Sequence, residues 1–309
     1  MRRLDIVIPA KDPRADFVEA VDLWLTQALP SGWDSHLFLV DDGSSSFDFD
    51  VLVQLHSGRL TLTTHTHSRG RAAACNAGMQ AGKGEYVAFF DADCFPAHTD
   101  VLSNFIGMLE RGADVVYGAL TSQREGFWGQ YFRAVCARRE RRFAQGDAYA
   151  LTTACCVVRR ELLQRVGGFD ECYRHYGFED RDLIIRLMAL APAVTFSPLS
   201  VVVHGDDLHL EDICRKQQEA GRYTSGLFRD RHPDYYARMN FTLVDSRQGS
   251  LLNWGAWMLP LVLPGLQRVG QVVVESGYMP YALKALLVKM LSGFFYFKGT
   301  RQAGAEAEQ

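Results

Sequence analysis

Two pairs of aspartates follow runs of strand-like residues: Asp41 and Asp42 in Asp41-Asp42-Gly43-Ser44-Ser45, and Asp91 and Asp93 in Asp91-Ala92-Asp93. Crowded carboxylates raise one another's pKa unless a cation neutralises them, and aspartates two apart beyond a strand end can turn two oxygens toward one ion. That chemistry suits a divalent metal, Mn2+ or Mg2+. Taken singly, the same residues are ordinary turn and cap formers; their coincidence at two strand ends favours a site. No G-x-x-x-x-G-K-[ST] is present and no G-x-G-x-x-G opens the first helix, so phosphate would be held by metal and arginine instead. A nucleoside diphosphate donor fits, because a cation bridging two phosphates neutralises the charge that builds as diphosphate leaves.

The elements that must position these residues alternate. Strand patterns cover Leu4 to Pro9, His36 to Val40, Leu60 to Thr64, Tyr86 to Phe90 and Asp114 to Tyr117, with helical patterns at Phe17 to Leu29, Phe49 to His56, Ala72 to Ala81 and Val101 to Arg111. Such alternation implies right-handed βαβ units and an α/β fold with a mostly parallel sheet. Ligands in these sheets sit at the carboxyl ends of the strands, where the aspartates lie. Pro9-Ala10-Lys11-Asp12 leaves the first strand at the same edge.

Composition narrows the classes. The 309 residues are 48% hydrophobic and 22% charged, which excludes wholesale disorder, and a net charge of -3 gives no cationic field for nucleic acid. Seven cysteines without a CxxC pair suggest neither a disulfide framework nor a zinc site. Met1 to Pro9 lacks the apolar stretch of a signal peptide, so a cytoplasmic location is expected.

Several stretches together resemble the family 2 glycosyltransferases, which have the GT-A fold, a Rossmann-like sheet flanked by helices. They are Ile6-Val7-Ile8-Pro9-Ala10, Val40-Asp41-Asp42-Gly43-Ser44, Arg69-Gly70-Arg71 through Asn76-Ala77-Gly78, Gly82-Lys83-Gly84 through Asp91-Ala92-Asp93, Gly167-Gly168-Phe169-Asp170-Glu171, and Gly177-Phe178-Glu179-Asp180. The resemblance implies that Pro9 and Ala10 line a nucleobase pocket, that Asp42 reads the nucleoside, and that Gly43 permits a tight turn beside it. It implies that Asp91 contacts ribose or metal-bound water and Asp93 the metal. Where the family often has Ala-Arg-Asn-x-Gly, this chain has Ala74-Cys75-Asn76-Ala77-Gly78. A donor contact from that arginine is therefore missing or supplied by Arg69 or Arg71, whose plainer reading is solvated loop charge. Glu179 and Asp180 resemble the family's ED motif, with Asp180 the general base of an inverting displacement; the plainer reading is a charge pair at a helix start. Asp182 is expected to cap the helix or to pair locally with Arg186. His204, after Val201-Val202-Val203, matches a histidine that completes the metal shell in related enzymes, though a lone histidine is more often structural. No metal is expected from His65 or His67.

The expected organisation is a GT-A domain over 1–230, with a nucleotide-sugar half at 1–120 and an acceptor half at 121–230, followed by a helical, apolar region at 231–309 with a polar, disordered tail at 299–309. A strand is expected at Tyr149 to Val158, and helices at Arg160 to Val166 and Asp212 to Arg231. The acceptor would be a glycan, a lipid-linked sugar or a small molecule. Residues 127–143, where arginines interleave with aromatics, and 251–297, which include Trp254, Trp257 and Phe294 to Phe297, are candidates for peripheral contact with the cytoplasmic membrane face. An acceptor groove and a dimer surface compete for the second stretch. Rival functions are a sugar nucleotidyltransferase, disfavoured because no Gly-rich, Arg-containing loop follows the first strand, and a non-catalytic sugar-nucleotide or membrane scaffold.

Overall fold

Leu4, Ile6 and Ile8 alternate with Asp5 and Val7 along the first strand, and all five are buried, which requires both sheet faces to be covered. A computed structural model shows how, describing residues 1–205, 208–249, 252–253 and 258–307. The strands are β1 (Arg2–Ala10), β2 (Trp33–Asp41), β3 (Leu60–Thr64), β4 (Tyr86–Phe90), β5 (Cys94–Pro96), β6 (Val115–Thr121), β7 (Cys155–Arg159) and β8 (Val194–His204). They form one sheet in the order β3-β2-β1-β4-β7-β6-β8-β5. The β3-β2-β1-β4 half is parallel, as the alternating pattern requires. Beyond it β7 runs antiparallel to both β4 and β6, and β5 antiparallel to β8, so the sheet is mixed.

One face is covered by α1 (Phe17–Leu25), α2 (Asp50–Leu55) and α4 (Val101–Glu110), which place Phe17, Trp24, Leu52 and Phe105 against Leu4, Ile6 and Ile8. Trp24 stacks on Phe90 with ring centres 3.8 Å apart. The opposite face receives α3 (Arg71–Ala81), α6 (Arg160–Val166) and α7 (Glu179–Met188), through Ala72, Cys75, Met79, Leu163, Leu183 and Ile184. The small side chains of α3 let it lie close on β1 and β2 and bring its first residue to the carboxyl edge.

The described chain packs as two units. The first comprises the described parts of 1–124, 132–174 and 180–206; the second those of 125–131, 175–179 and 207–309. The helix α5 (Gly126–Ala144) contributes to both. The second unit holds α8 (Leu210–Glu219), a π-helical turn at Ala220–Thr224, α9 (Ser225–Arg231), α10 (Pro233–Ala237), α11 (Leu259–Glu275) and α12 (Tyr281–Ala307). Its core unites Trp128 with Leu210, Cys214, Leu263, Val274, Val288, Leu291 and Phe295.

Several expectations change. The strand expected at Tyr149 to Val158 forms only as β7, because residues 149–154 turn. The helix expected at Asp212 to Arg231 is broken by the π-helical turn. The tail is not disordered through 307. It continues α12, because Gly299 lets the backbone approach Gln218, Thr300 is buried and bonds the Ser246 hydroxyl at 3.0 Å, and Gln218 donates to Gln302 at 3.0 Å. The short β5 has no strand pattern of its own.

Asp5 has no exposed surface on β1, where Arg160 reaches it at 2.6 Å and Arg3 at 3.1 Å, and the Gly84 N–H donates to it at 2.6 Å. Arg160 also donates to the carbonyls of Met79 and Gly84, joining α3, β1 and α6. Removing one partner of a buried ion pair leaves the other charge uncompensated. Arg160→Met is therefore expected to lower stability by about 3–5 kcal/mol in urea unfolding.

Candidate active site

The loops after β1 and β2 are bound together. Asp12, at φ +42°, accepts from the backbone N–H groups of Ser45 at 2.7 Å and Ser46 at 2.8 Å, and donates its own N–H to the Ser44 hydroxyl. The Asp42 N–H donates to the Ala10 carbonyl at 2.8 Å, which brings Pro9, Ala10 and Asp42 to one place. Asp42 is 5% exposed. One oxygen accepts from the Arg69 N–H at 2.8 Å and lies 2.7 Å from His65 Nδ1; the other accepts from the Ser68 hydroxyl at 2.7 Å and the Gly70 N–H at 2.9 Å. Burial opposes its ionisation, yet these hydrogen bonds outweigh burial and hold its carboxyl below the usual range. Gly43, at φ +74°, closes the turn where a Cβ would lie 2.6 Å from Ser68 N.

Asp42 thereby fixes the loop that delivers Arg71. Gly70, at φ +91°, starts α3, and Arg71 projects from its first position to the strand ends. The Arg71 guanidinium forks onto Asp91 Oδ1, with Nε at 2.9 Å and Nη2 at 2.7 Å, while Nη1 reaches Asp180 Oδ1 at 2.8 Å. Thr153 completes the group: its hydroxyl donates to the same Asp180 oxygen and accepts from Arg71 Nη1 at 3.2 Å. One cation thus joins two aspartates whose positions in the chain are 89 apart, at the end of β4 and the start of α7. The Arg69 guanidinium instead pairs with Glu171 at 2.7 Å. Glu179 is buried at the first position of α7. Asp182 pairs with Arg186 as expected, at 2.5 Å.

The antiparallel pairing of β5 with β8 sets Cys94 opposite His204, and places His204 Nε2 3.6 Å from Asp93 Oδ1. The His204 ring packs on Phe132, centres 4.8 Å apart. The ligand atoms of Asp93, Cys94 and His204 all lie within 4.8 Å of one another. A carboxylate with an imidazole suits Mn2+ better than Mg2+, which prefers an all-oxygen shell. Burial, and then the charges of Asp93 and Asp91, push the Cys94 thiol well up, and a soft sulfur ligand suits neither Mn2+ nor Mg2+. Asp93 and His204, with Asp91 two residues away, fit a hard divalent cation.

Sequence reading missed Thr153, His65 and Ser68. A threonine ahead of a strand and a histidine after one carry no local signal, and their partners lie 27, 23 and 26 residues away. It also overvalued aromatics. Trp128 is buried in the second unit's core with Phe127 and Tyr131 partly buried beside it, Phe143 packs on Tyr117, and Phe295, Tyr296 and Phe297 are buried, so Trp128 and these last three are not free to meet a membrane. Trp254 and Trp257 lie outside the described residues.

With this geometry, residues 5–167 match the family model for glycosyl transferase family 2, more than half of the chain. The chain belongs to that family. A second family model, the N-terminal domain of galactosyltransferase, matches residues 144–203. A pre-mycofactocin glycosyltransferase of Mycobacterium tuberculosis is 29% identical over 77% of this chain and 50% of its own length. A beta-monoglucosyldiacylglycerol synthase of Trichormus variabilis is 27% identical over 60% of this chain and 41% of its own length. The chain thus spans about half or less of these curated relatives. Among solved structures, a mannosyltransferase from Pyrobaculum calidifontis, in complex with GDP-Man and Mn2+, superposes with a TM-score of 0.61 at 20% identity, covering 96% of this chain and 87% of that one. The likeness shows that the family's GT-A fold is shared.

The Asp42 network makes a prediction. Asp42→Ala leaves the Arg69 and Gly70 N–H groups without their acceptor, and should cost about 1–3 kcal/mol at pH 7. Because the folded-state pKa lies below the ordinary 3.8, this stabilisation is present above that value and lost as pH falls through the folded pKa. The gap in thermal midpoint between variant and wild type should narrow correspondingly under acid.

Proposed function

We propose that the protein is an inverting glycosyltransferase that moves a sugar from a nucleoside diphosphate donor, which we take to be a UDP-sugar, to an acceptor hydroxyl. The observation that carries this reading is the convergence at one sheet edge of Asp91, Asp180 and Arg71, with Asp93, just before β5, near His204 at the end of β8. Pro9, Ala10 and Asp42 form the nucleoside end. Asp93, His204 and Asp91 would hold Mn2+ or Mg2+, which when bound neutralises the charge developing on the departing diphosphate. Arg71 supplies fixed positive charge beside them. Asp180 takes the acceptor proton as the new bond to the anomeric carbon forms and the bond to diphosphate breaks. Glu179 serves as its neighbour in the same acidic pair. The names of the relatives support the transfer chemistry.

The acceptor class we favour is lipid-linked or membrane-borne, in cell-surface glycan or glycolipid synthesis. Of eighteen exposed large apolar side chains among the described residues, eleven fall between 258 and 290. On α11 they include Leu261, Val262, Leu266, Val269 and Val272; on α12, Leu283, Leu286 and Met290. Tyr278, fully exposed, stands in the link between these helices, and Arg268 and Lys289 are exposed beside the apolar positions. Among the described residues no helix is long and apolar enough to cross a membrane. Exposed apolar positions flanked by cations suit peripheral seating on an anionic bilayer. The beta-monoglucosyldiacylglycerol synthase name agrees with a lipid acceptor.

Two experiments test this reading. Asp180→Asn should abolish transfer, by about 100-fold or more, while donor binding measured by calorimetry with Mn2+ across a panel of UDP- and GDP-sugars is unchanged; undiminished turnover would refute the assignment of the base. The wild-type protein should sediment with vesicles containing phosphatidylglycerol, and Leu266→Asp with Val269→Asp should release it at unchanged thermal midpoint. Failure of the wild type to bind such vesicles removes the membrane reading.

A further inference from the structure

We propose that Thr153 and Arg71 are positioning residues that grip one oxygen of the Asp180 carboxylate, Oδ1, and so present the other, Oδ2, as the atom that accepts the acceptor's proton. The inference rests on Asp180 being the base. Both hydrogen bonds to Asp180 converge on Oδ1: the Arg71 Nη1 donates at 2.8 Å, and the Thr153 hydroxyl donates to the same atom. The Thr153 oxygen in turn accepts from Arg71 Nη1 at 3.2 Å, closing a triangle of guanidinium, hydroxyl and carboxylate.

The triangle acts on a torsion that is otherwise loose. Rotation of an aspartate carboxylate about χ2 is broad, so an ungripped Asp180 would present either oxygen over a wide range of directions. Two donors on one oxygen remove that freedom. Thr153 is 1% exposed, so water does not compete for its hydroxyl. It stands two residues before β7, a strand held on both sides by β4 and β6. Asp180 is half-buried at the second position of α7. The anchor is thus carried by the sheet and the base by a helix, and the hydroxyl sets one against the other.

Arg71 extends the arrangement to the donor side. Its Nε and Nη2 both bond Asp91 Oδ1, so the guanidinium that orients the base also orients the first aspartate of Asp91-Ala92-Asp93. A planar fork can serve both carboxylates at once, whereas a lysine ammonium in the same place is a point charge that serves them less well. In the reaction, the acceptor O–H proton passes to Oδ2 as its oxygen bonds the anomeric carbon. The electron pair of the broken glycosyl–phosphate bond leaves on the nucleoside diphosphate, and Oδ1 keeps its two donors throughout.

Thr153→Val removes the hydroxyl and keeps the shape. It should lower kcat by about 10- to 100-fold, with donor KM and thermal midpoint unchanged, because only the aim of the base is lost. Thr153→Ser, which restores a hydroxyl, should recover most of the rate. Thr153→Val combined with Arg71→Lys should lose less than the product of the two single losses, since both act on one oxygen. Asp180→Asn measured alongside separates the possibilities. If it turns over normally, the base assignment itself fails. If it is inactive while folded Thr153→Val turns over at the wild-type rate, or Thr153→Ser is as slow as Thr153→Val, the positioning role is overturned.

Discussion

Like charges brought to one edge of a parallel sheet must be neutralised, and the Arg71 guanidinium does this for Asp91 and Asp180 at the centre of the site. Those aspartates come from a strand end and a helix start far apart in sequence, and in a half-buried setting their repulsion would drive them apart or protonate one of them. A single planar cation with donors on both sides resolves the conflict. Much of the surrounding structure serves to put that cation there. The Asp42 carboxylate collects two backbone N–H groups, a serine hydroxyl and a histidine, and so freezes the loop before α3. Gly70 supplies the left-handed backbone at the cap, and the alanines behind it let the helix lie close on β1 and β2.

The site has a consistent division of labour between elements. The parallel half of the sheet carries Pro9 and Ala10 at the end of β1, Asp42 just past β2, and Asp91 just past β4. The mixed half carries Thr153 ahead of β7 and His204 at the end of β8. Asp93 lies at the crossing point, where β5 doubles back to pair with β8 and so holds aspartate and histidine within reach of one ion. Groups that must not ionise are buried. The Cys94 thiol, and near Asp180 the Tyr117 hydroxyl and Cys156 thiol, are all pushed well up by burial.

The two faces of the sheet explain why β1 reads as an almost continuous apolar run, and why Asp5 within it is exceptional. A carboxylate fully removed from water is tolerable only with partners of opposite charge close by. Arg160 and Arg3 supply the charge, and the Gly84 N–H a further bond. That cluster anchors the amino end of the sheet, leaving the carboxyl end to chemistry. The Cys75 that replaces the family's frequent arginine is fully buried against the sheet, and Asn76 beside it binds the Phe169 backbone at 2.8 and 2.9 Å and Glu171 at 3.0 Å. The arginine facing the aspartates is four residues earlier, at the tip of the helix.

From residue types and spacing alone, the α/β class, the first four strands with their helices, and the aspartates at the strand ends could be read. Period-2 and period-3.6 patterns are local, and the family motifs are short contiguous strings. Asp182 with Arg186 was legible for the same reason, as a pair one helical turn apart. What depends on distant segments was not legible. Whether Arg69 or Arg71 faces the aspartates is decided by the turn at Gly70, which sends one guanidinium to Glu171 and the other to the strand edge. Thr153 acquires its role only because β7 runs antiparallel between β4 and β6, and His204 reaches Asp93 only because three residues form β5. Trp128, Phe295, Tyr296 and Phe297, which looked suited to a membrane, are core, whereas Leu266, Val269 and Leu286 are exposed. Hydrophobicity is a property of the side chain, but which face meets solvent is settled by the helices packed against it.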